Sequence, residues 1–463
     1  MSTKRIYIII LILVLVLFLS VSALAGKCSL PGTEVKTGQP EEEEDAVSEE
    51  PESGITDGEE SAGTGAEDEE YYIAYFEVGS DENSMHFEHR VANVVAVSPD
   101  GTNKKLIYTD LNEKYDLSRI YAISPDGSKI SCGFYEGGRG AYGALCVIDV
   151  ATGELHTVSE FDYTESESME LMKDIYGKPI WSHNGENIAY ETVVNPYTDN
   201  LRDDGIYIAN IETDNIQAVD VNMEGLSLKN TTFLDPVLFS GDDSRLFNIF
   251  HTFYPKIEDE TVLGYFTRNE KLVAVDISGG EAYEILDISQ FEGMEANFDN
   301  FNLFTQQDKI VFQVLGDFEE DGDIWICDSD GSNLSKLTDN PELREQQPSI
   351  LDMPGSAGKI AYTGVDRYGT ISYHFNSGDI YIINIDGSGQ VKIKDDEIDA
   401  AKPVFSPDGR YLAFIGYIYD SGMEYVVSSQ IEVYDMQSGE IRTVASGSNI
   451  FDLIGWIKVD GQI

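Results

Sequence analysis

One segment of this 463-residue chain places carboxylates at the spacing of a calcium-binding loop. Residues 317–328 read DFEEDGDIWICD, with oxygen donors at positions 1, 3, 5 and 12 and glycine at position 6. Calcium takes several oxygen ligands, and glycine permits the sharp turn that brings the carboxylates together. Calcium is the one cofactor that the sequence indicates, and its predicted ligands are Asp317, Glu319, Asp321, Asp323 and Asp328.

Two features of this loop leave a second interpretation open. Position 12 is Asp328 instead of the longer, bidentate Glu, and the flanking residues have the pattern of strands instead of helices. A solvated loop between two strands would carry the same residues in so acidic a chain. Residues 199–205, DNLRDDG, form a similar but less complete loop.

A second candidate for chemistry is a pair of cysteines in neighbouring apolar runs. Cys132 and Cys146 are equidistant from Arg139, which lies at the centre of the segment between them. In an antiparallel hairpin this spacing makes the two cysteines cross-strand neighbours. We predict either a disulfide, which an oxidising exterior would favour, or two buried thiols that act as small apolar groups.

Residues typical of catalytic centres are otherwise sparse. The chain has six histidines, of which His86 and His89 are three residues apart with no third histidine nearby, and it has no G-x-S-x-G motif. The sequence therefore predicts a protein that is not an enzyme. Pairs of carboxylates from different parts of the chain leave one alternative open, a glycan-active hydrolase or lyase.

The elements that would position these residues repeat along the chain. A short apolar run, a polar tight turn and a second apolar run occur together at 125–127, 184–185, 242–243 and 408–409, with degraded copies at 307–308 and 356–357 and a further turn at 460–461. Asp or Asn followed by Gly suits a tight hairpin, because glycine accepts a positive φ and the Asx side chain caps its own backbone. A hairpin that recurs about every 50 to 65 residues predicts one four-stranded unit per repeat.

A second hairpin alternates with the first and also occurs seven times. Its strands are short and rich in β-branched and aromatic residues, so two hairpins per unit would make one blade of a β-propeller. The first unit begins at 72–76 with a second strand, and the last apolar run, 454–457, lacks a partner. We therefore predict an all-β, seven-bladed propeller of four-stranded blades over residues 71–463, in which the C-terminal strand closes the first blade. Six or eight blades are the alternatives.

Two repeated phrases resemble those of a known family. P-x-[WF]-S-x-[DN]-G-x-x-[IL]-A-[FY] occurs at 179–190 and 403–414, and [DN]-I-[YW]-I-x-[DN]-x-D-G occurs at 323–331 and, with one shift, at 379–387. The phrases resemble the WD-type propeller repeats of the TolB family, which also occur in the propeller domains of prolyl-oligopeptidase-type peptidases. The resemblance covers about residues 71–463. It implies the propeller fold and, by analogy, contacts with proteins of the cell envelope, but no particular reaction.

The first 26 residues have the composition of a targeting segment. Two basic residues precede an apolar run at 6–19, and a small-x-small pattern ends at Ala25. A signal peptide cleaved near Ala25 and a retained apolar transmembrane helix both fit, since ~20 residues span a bilayer. Cys28 adds a third reading, a lipid anchor, although Lys27 occupies the position where a small residue is expected. In each case the propeller is expected to be extracytoplasmic and to contact the membrane through this segment alone.

The remaining residues before the propeller, 27–70, are predicted to be a disordered acidic linker. Between 41 and 70 there are 15 acidic residues and no Lys or Arg, a composition that favours an extended, solvated chain. The whole chain has a net charge of −54, of which −42 belongs to residues 71–463. This balance argues against a nucleic-acid partner and against anionic lipid headgroups, because both bind through cationic contacts.

These observations favour an extracytoplasmic, non-enzymatic module that binds a ligand or an envelope protein, with a monomeric propeller. The mouth of the central channel and the long, aromatic-rich connections are the expected contact regions. Those connections are 136–142, 195–204, 253–267, 366–376 and 417–427.

Overall fold

The repeats fold into seven four-stranded antiparallel sheets. The computed structural model describes residues 71–79, 91–110, 115–136, 141–160, 173–194, 202–222, 232–258, 261–291, 297–315, 322–366, 377–393, 398–420 and 426–459. No helix within these ranges has the length and apolar character needed to cross a bilayer. The predicted targeting segment, the acidic linker, Cys28 and the turn at 460–461 lie outside the described residues.

The strands follow one another along the chain with few other regular elements. The first fourteen are β1 (Tyr71–Gly79), β2 (Val91–Val97), β3 (Lys104–Thr109), β4 (Tyr115–Ile123), β5 (Lys129–Glu136), β6 (Ala141–Asp149), β7 (Leu155–Glu160), β8 (Lys173–Trp181), β9 (Asn187–Val194), β10 (Arg202–Asn210), β11 (Asn215–Val219), β12 (Thr232–Phe239), β13 (Arg245–Glu258) and β14 (Thr261–Asp276). The others are β15 (Ala282–Asp287), β16 (Asn297–Phe304), β17 (Lys309–Leu315), β18 (Gly322–Asp328), β19 (Ser335–Lys336), β20 (Leu343–Leu351), β21 (Lys359–Asp366), β22 (Asp379–Asn384), β23 (Val391–Lys392), β24 (Asp399–Phe405), β25 (Tyr411–Tyr419), β26 (Val426–Asp435), β27 (Ile441–Gly447) and β28 (Ile450–Lys458). A 3-10 turn, Ile288–Gln290, follows β15.

Each sheet is one blade, and the blades close into a ring. Blade 1 is β28-β1-β2-β3, and blades 2 to 7 are the successive groups of four strands from β4–β7 to β24–β27. The first strands of neighbouring blades contact one another around the whole circle, including β28 with both β24 and β4. The seven-bladed propeller and its closure by the C-terminal strand are therefore confirmed.

The hydrophobic core lies between the blades. The buried apolar residues form seven clusters, and each cluster joins two adjacent blades, from blades 1 and 2 through to blades 7 and 1. Alternation along a strand explains this arrangement, because successive side chains point to opposite faces of a sheet and both faces of a blade are covered. A blade therefore has no core of its own and depends on its neighbours.

Serine and Asx side chains hold the tight turns between the first and second strands. In blade 4 the Ser240 hydroxyl donates to Asp242 Oδ1 at 2.7 Å and accepts the Arg245 N–H at 3.0 Å. Equivalent pairs join Ser124 to Asp126, Ser182 to Asn184 and Ser406 to Asp408. The fourth turn position has positive φ in each of these turns, taken by glycine except at Asp243 (φ 56°).

The prediction that residues 253–267 form a loop between two strands is wrong. These residues continue β13 and β14 as a paired ladder, from Phe253 with Thr267 to Glu258 with Thr261. The ladder extends past the last residues of β12 and β15 that pair with this hairpin. The aromatic and β-branched residues of this segment favour a strand, and residues 259 and 260 lie outside the described residues.

Antiparallel order places two sets of connections on one face of the ring. The chain enters every first strand on the face where the second strand connects to the third, whereas the tight Ser-Asx turns occupy the opposite face. Three of the five predicted contact connections, 136–142, 195–204 and 366–376, lie mostly outside the described residues, as do residues 421–425 of the connection at 417–427. The first strands carry several polar residues near the ends at which the chain enters them.

Candidate functional site at the propeller axis

Six charged, polar or small residues occupy one level of the axis. Each second strand has an Ile or Leu near its start, and the residue three positions later pairs with one residue of the innermost strand. We call these innermost residues the axial layer; together with Tyr176 of blade 3 they are Arg119, Asp235, Asp299, Gln346, Ala401 and Asp452. Three aspartates and an arginine therefore lie at the same register around the channel.

A β-bulge follows the axial layer in most blades. The pairing shifts between Asp299 and Asn302, between Gln346 and Ser349, and between Ala401 and Val404. The bulge residues Asn300, Gln347 and Lys402 have φ of 51°, 55° and 54°, values that L residues rarely adopt. Bulges of this kind redirect side chains, and strained backbone persists where the surrounding structure holds it.

A chain of hydrogen bonds connects the bulges of four successive blades. Gln313 Oε1 accepts from Asn300 Nδ2 at 2.8 Å and from the Gln347 N–H at 3.3 Å. Gln347 Oε1 in turn accepts the Lys402 N–H at 3.0 Å, and Lys402 Nζ donates to both Asp452 oxygens at 2.5 and 2.6 Å. Blades 5, 6, 7 and 1 are thus joined by a polar network that pairs its own charges.

The other side of the axis, formed by blades 3 to 5, is arranged differently. The bulge of blade 3 carries Gly177 (φ 71°) followed by Lys178, and a Cβ on Gly177 would lie 2.1 Å from Asp235 Oδ1. Lys178 and Asp299 are both exposed to the axial space. Among the residues that the structure describes, the Lys178 ammonium has no hydrogen-bond or ion-pair partner.

We call the side of the axis that blades 3 to 5 form the open side. The charged groups on the open side interact electrostatically without direct contact. The pKa of Lys178 lies below its ordinary value, because the surrounding protein disfavours the charged form and the Lys402 ammonium repels it, whereas Asp452 and Asp299 act in the opposite direction. The pKa of Asp299 lies above its ordinary value, because the enclosing protein and then the Asp235 charge disfavour its ionised form. Perturbed groups in a concave region are typical of functional sites.

Sequence reasoning missed these residues, although a pattern was present. The repeated phrase begins with proline, and the residue before that proline is Lys178, Gln347 or Lys402 in three blades. A polar residue at this point of an apolar strand marks a bulge, since proline cannot donate to the ladder. The charge of the axial layer itself follows from inter-blade register, which no single repeat reveals.

The structure separates the two predicted calcium ligands that it describes. Asp323 and Asp328 lie near opposite ends of β18, five residues apart, which corresponds to ~16 Å in an extended strand. Lys336 Nζ lies 3.0 Å from Asp323 Oδ2, and Lys309 binds Asp328. One ion cannot contact both carboxylates, because calcium–oxygen distances are about 2.4 Å. Asp317, Glu319 and Asp321 lie outside the described residues, within which no three His, Cys, Asp or Glu side chains form a metal-binding group.

The predicted cysteine register is observed, and both cysteines are free thiols in the structure. Cys132 pairs directly with Cys146 across β5 and β6. Cys132 Sγ lies 3.6 Å from the Cys146 carbonyl oxygen, whereas Cys146 Sγ points to Thr157 Oγ1 at 3.8 Å. Burial raises the pKa of both thiols, to about 11 for Cys146. They pack as small apolar groups between blades 1 and 2 instead of forming the bridge.

Comparison with known proteins supports the fold and goes no further. None of the protein-family models matches this sequence. No curated protein matches it either. Among solved structures, a prolyl endopeptidase is similar with a TM-score of 0.51 and 12% identity, over 80% of this chain and 49% of the other. This chain thus spans about half the length of that peptidase.

Two further solved structures have lower similarity scores. Oligogalacturonate lyase from Vibrio parahaemolyticus has a TM-score of 0.48 and 14% identity over 81% of this chain and 85% of its own. A putative TolB from Agrobacterium tumefaciens has a TM-score of 0.40 and 13% identity over 73% of this chain and 95% of its own. The strand topology defines the class, a seven-bladed β-propeller. The propeller fold that the resemblance of the repeat phrases implied is confirmed by this topology.

Proposed function

We propose that this protein is an extracytoplasmic, non-enzymatic TolB-like propeller that binds a ligand or a segment of an envelope protein at the axial layer. One observation carries the proposal: Lys178 and Asp299 are exposed to the axial space on the open side, and the lysine has no partner among the described residues. Charged groups that line a channel without a partner of their own are available to bind a ligand, and shifted pKa values are typical of such sites.

The surroundings of the open side fit a binding role. The bulge network of blades 5 to 1 holds one wall of the axis through hydrogen bonds of 2.5 to 3.3 Å. Phe451, beside Asp452, is 63% exposed and contacts Phe76 edge-to-face at 6.0 Å between ring centroids. A rigid polar wall next to an exposed aromatic ring is a common combination in ligand sites, because the ring supplies contact area and the polar groups fix orientation.

A thermal-shift screen of the full-length protein tests this proposal. The panel contains neutral oligosaccharides, uronic-acid sugars, amino acids and short peptides, since a ligand that binds the folded state raises the melting temperature. We expect at least one class to raise it in the wild type and in the control Lys105→Met, but less in Lys178→Met or Asp299→Asn. A ligand whose shift is the same in all these variants would place the binding site elsewhere.

The alternative function is a carboxylate-based glycan hydrolase or lyase in the channel. The observation that favours it is the raised pKa of Asp299 beside Asp235, since a protonated and an ionised carboxyl group are what acid–base catalysis needs. Incubation of the full-length protein with the sugars that bind, followed by chromatography, decides between the two functions. Product that forms in the wild type but not in Asp299→Asn would establish the enzyme; intact ligand supports the binding module.

A further inference from the structure

Lys178 and Lys402 stand on opposite sides of the axial layer, and only one of them has a partner among the described residues. Lys402 binds both oxygens of Asp452, whereas Lys178 faces the axial space beside Asp299 and Asp235. We propose that Lys178 binds a single carboxylate of the ligand, and that the exposed Asp299 accepts a hydrogen bond from a hydroxyl or ammonium group next to that carboxylate. This inference rests on the proposed function and specifies its ligand.

The anionic group follows from the balance of the neighbouring charges. The Lys402 charge is compensated at 2.5 Å by Asp452, whereas the Lys178 ammonium has no ion-pair partner among the described residues. A carboxylate at hydrogen-bond distance would attract the Lys178 ammonium and so offset the repulsion that Lys402 exerts on it. The charge-assisted hydrogen bond would form in a region enclosed by protein, where electrostatic interactions are stronger than in bulk water.

The limit to one negative charge follows from the aspartates and from the whole domain. Asp235 and Asp299 lie on adjacent blades at the same register, and residues 71–463 carry a net charge of −42. A phosphate, a sulfate or a polyanion would meet these carboxylates and the acidic surface. A monocarboxylate with a neighbouring donor offsets this cost, because the donor can bind the exposed Asp299 carboxylate. Amino acids and monomeric uronic acids both carry this combination.

The backbone of blade 3 holds Lys178 in this position. Gly177 adopts φ of 71°, and its Cα packs so closely on Asp235 that no side chain fits there. The bulge thereby places the lysine directly after the contact with the aspartate. The contact between Gly177 and Asp235 across blades 3 and 4 thus fixes the backbone from which the Lys178 side chain extends.

Lysine-methyl NMR on the full-length protein tests the inference. The lysines are converted to ¹³C-dimethyl-lysine, and the Lys178 resonance is assigned by its loss in Lys178→Met. The protein is then titrated with galacturonic acid and with glycine, and separately with galactose and ethanolamine, which lack the carboxylate. We expect a saturable shift of the Lys178 resonance with one or both carboxylates and none with the neutral sugar or the amine.

The two carboxylates separate the possible sources of this chemistry. A response to galacturonic acid alone indicates a uronic acid, and a response to glycine alone indicates an amino-acid ligand. Affinity measured on another shifting resonance should fall at least tenfold in Lys178→Met and stay unchanged in Lys105→Met. Absence of a response to both carboxylates, or an equal response to galactose, would overturn the inference. If the binding of a neutral ligand from the thermal-shift panel still depends on Asp299, the proposed function stands although this inference fails.

Discussion

At the scale of single residues, Gly177 shows how backbone conformation sets the chemistry of the axis. Its φ of 71° favours glycine, and the Asp235 carboxylate occupies the space of a side chain. Lys178 follows directly, so its direction depends on a residue that has no functional group. A substitution at Gly177 therefore tests the architecture of the site without removing any charge.

Gly177→Ala should destabilise the protein by about 2–3 kcal/mol and weaken ligand binding, because it adds a clash at 2.1 Å to the cost of a strained φ. Gly185→Ala is the matched control. Gly185 has the same φ of 71°, but its nearest neighbour would be 3.9 Å away, so the variant should lose about 1 kcal/mol and keep its binding. Urea unfolding of both variants measures the difference, and equal losses would show that Asp235 does not restrict this position.

Lys178→Met should raise the stability of the ligand-free protein at pH 7. The folded-state pKa of Lys178 lies below the ordinary 10.5, so the folded state disfavours the ammonium and carries that cost at every pH below the folded-state pKa. The cost disappears as the pH rises towards 10.5, so the advantage of the variant should shrink there. We expect a gain of at most about 1–2 °C in melting temperature, because solvent screening of this exposed side chain keeps the effect below ~1 kcal/mol.

Thermal melts at pH 7 and pH 10 compare this variant with Lys105→Met, which lies on the outer strand of blade 1. Loss of stability in Lys178→Met at pH 7 would contradict the interpretation of Lys178 as a group kept for a ligand. A gain combined with loss of binding is the expected trade between stability and function.

At the scale of elements, the Ser-Asx turn is the unit that repeats most faithfully. Hydrogen bonds from Ser240, Ser244 and the Ser244 N–H lower the pKa of Asp242 to about 2. Asn184 takes the same position in blade 3 and accepts from Ser182 at 2.7 Å. The turn therefore needs an acceptor oxygen, and the negative charge is an addition that makes its stability depend on pH.

Ser240→Ala should lower the free energy of unfolding by about 1 kcal/mol at pH 7. This value takes into account that solvent screens the exposed Asp242 carboxylate. Because the folded-state pKa of Asp242 is lowered from 3.8 to about 2, its contribution is complete above pH 3.8 and is lost as the pH falls towards 2. The difference between wild type and variant should therefore narrow over this window. Asp242→Asn is the control that keeps the acceptor, as Asn184 does, and it should remove the pH dependence. A constant difference from pH 7 to pH 2 would contradict the assignment.

At the scale of the whole molecule, closure of the ring depends on β28. Trp456 on this strand is 4% exposed, donates its indole N–H to the Val404 carbonyl at 2.8 Å and stacks on Tyr411 with centroids 6.1 Å apart. It thus joins blade 1 to blade 7 at the seam of the ring. Since each cluster of the core belongs to two blades, damage at the seam removes support from both.

Trp456→Ala should lower the free energy of unfolding by about 3–5 kcal/mol, the cost of deleting a large buried side chain. Trp456→Phe keeps much of the apolar contact and loses the hydrogen bond, so we expect a loss of about 1–2 kcal/mol. Phe451→Ala lies on the same strand at a side chain that is 63% exposed and should change stability little. Comparable losses of stability in all three variants would show that the effect does not come from the Trp456 contacts at the seam.

The net charge makes a further prediction at this scale. Residues 71–463 carry −42, and the resulting self-repulsion is screened by salt. Addition of sodium chloride to about 0.5 M should therefore raise the melting temperature of the protein, and most of the rise should occur at low concentration, where the Debye length is longest. Potassium chloride at equal ionic strength is the control for a specific ion effect. A melting temperature that falls with either salt would contradict this account.

The repeat, the number of blades and the closing strand could all be predicted from the amino-acid sequence. Local chemistry explains this success, because Asx-Gly turns and short β-branched runs dictate hairpins, and hairpins of constant period have few ways to pack. The cross-strand position of Cys132 and Cys146 followed from the same local rule. The connection at 253–267 was misjudged because its strand character extends beyond the length of the other repeats.

Tertiary structure alone decided which charges meet at the axis. Lys178, Asp235 and Asp299 belong to three blades, and their shared level results from the register of each innermost strand against its own neighbour and from the packing of blades around the ring. Sequence spacing does not encode this level, since connections of different length separate the blades. The calcium-loop pattern shows the converse: Asp323 and Asp328 are close in sequence, and the extended strand between them holds them apart. Register between distant segments, and not proximity along the chain, creates the candidate site.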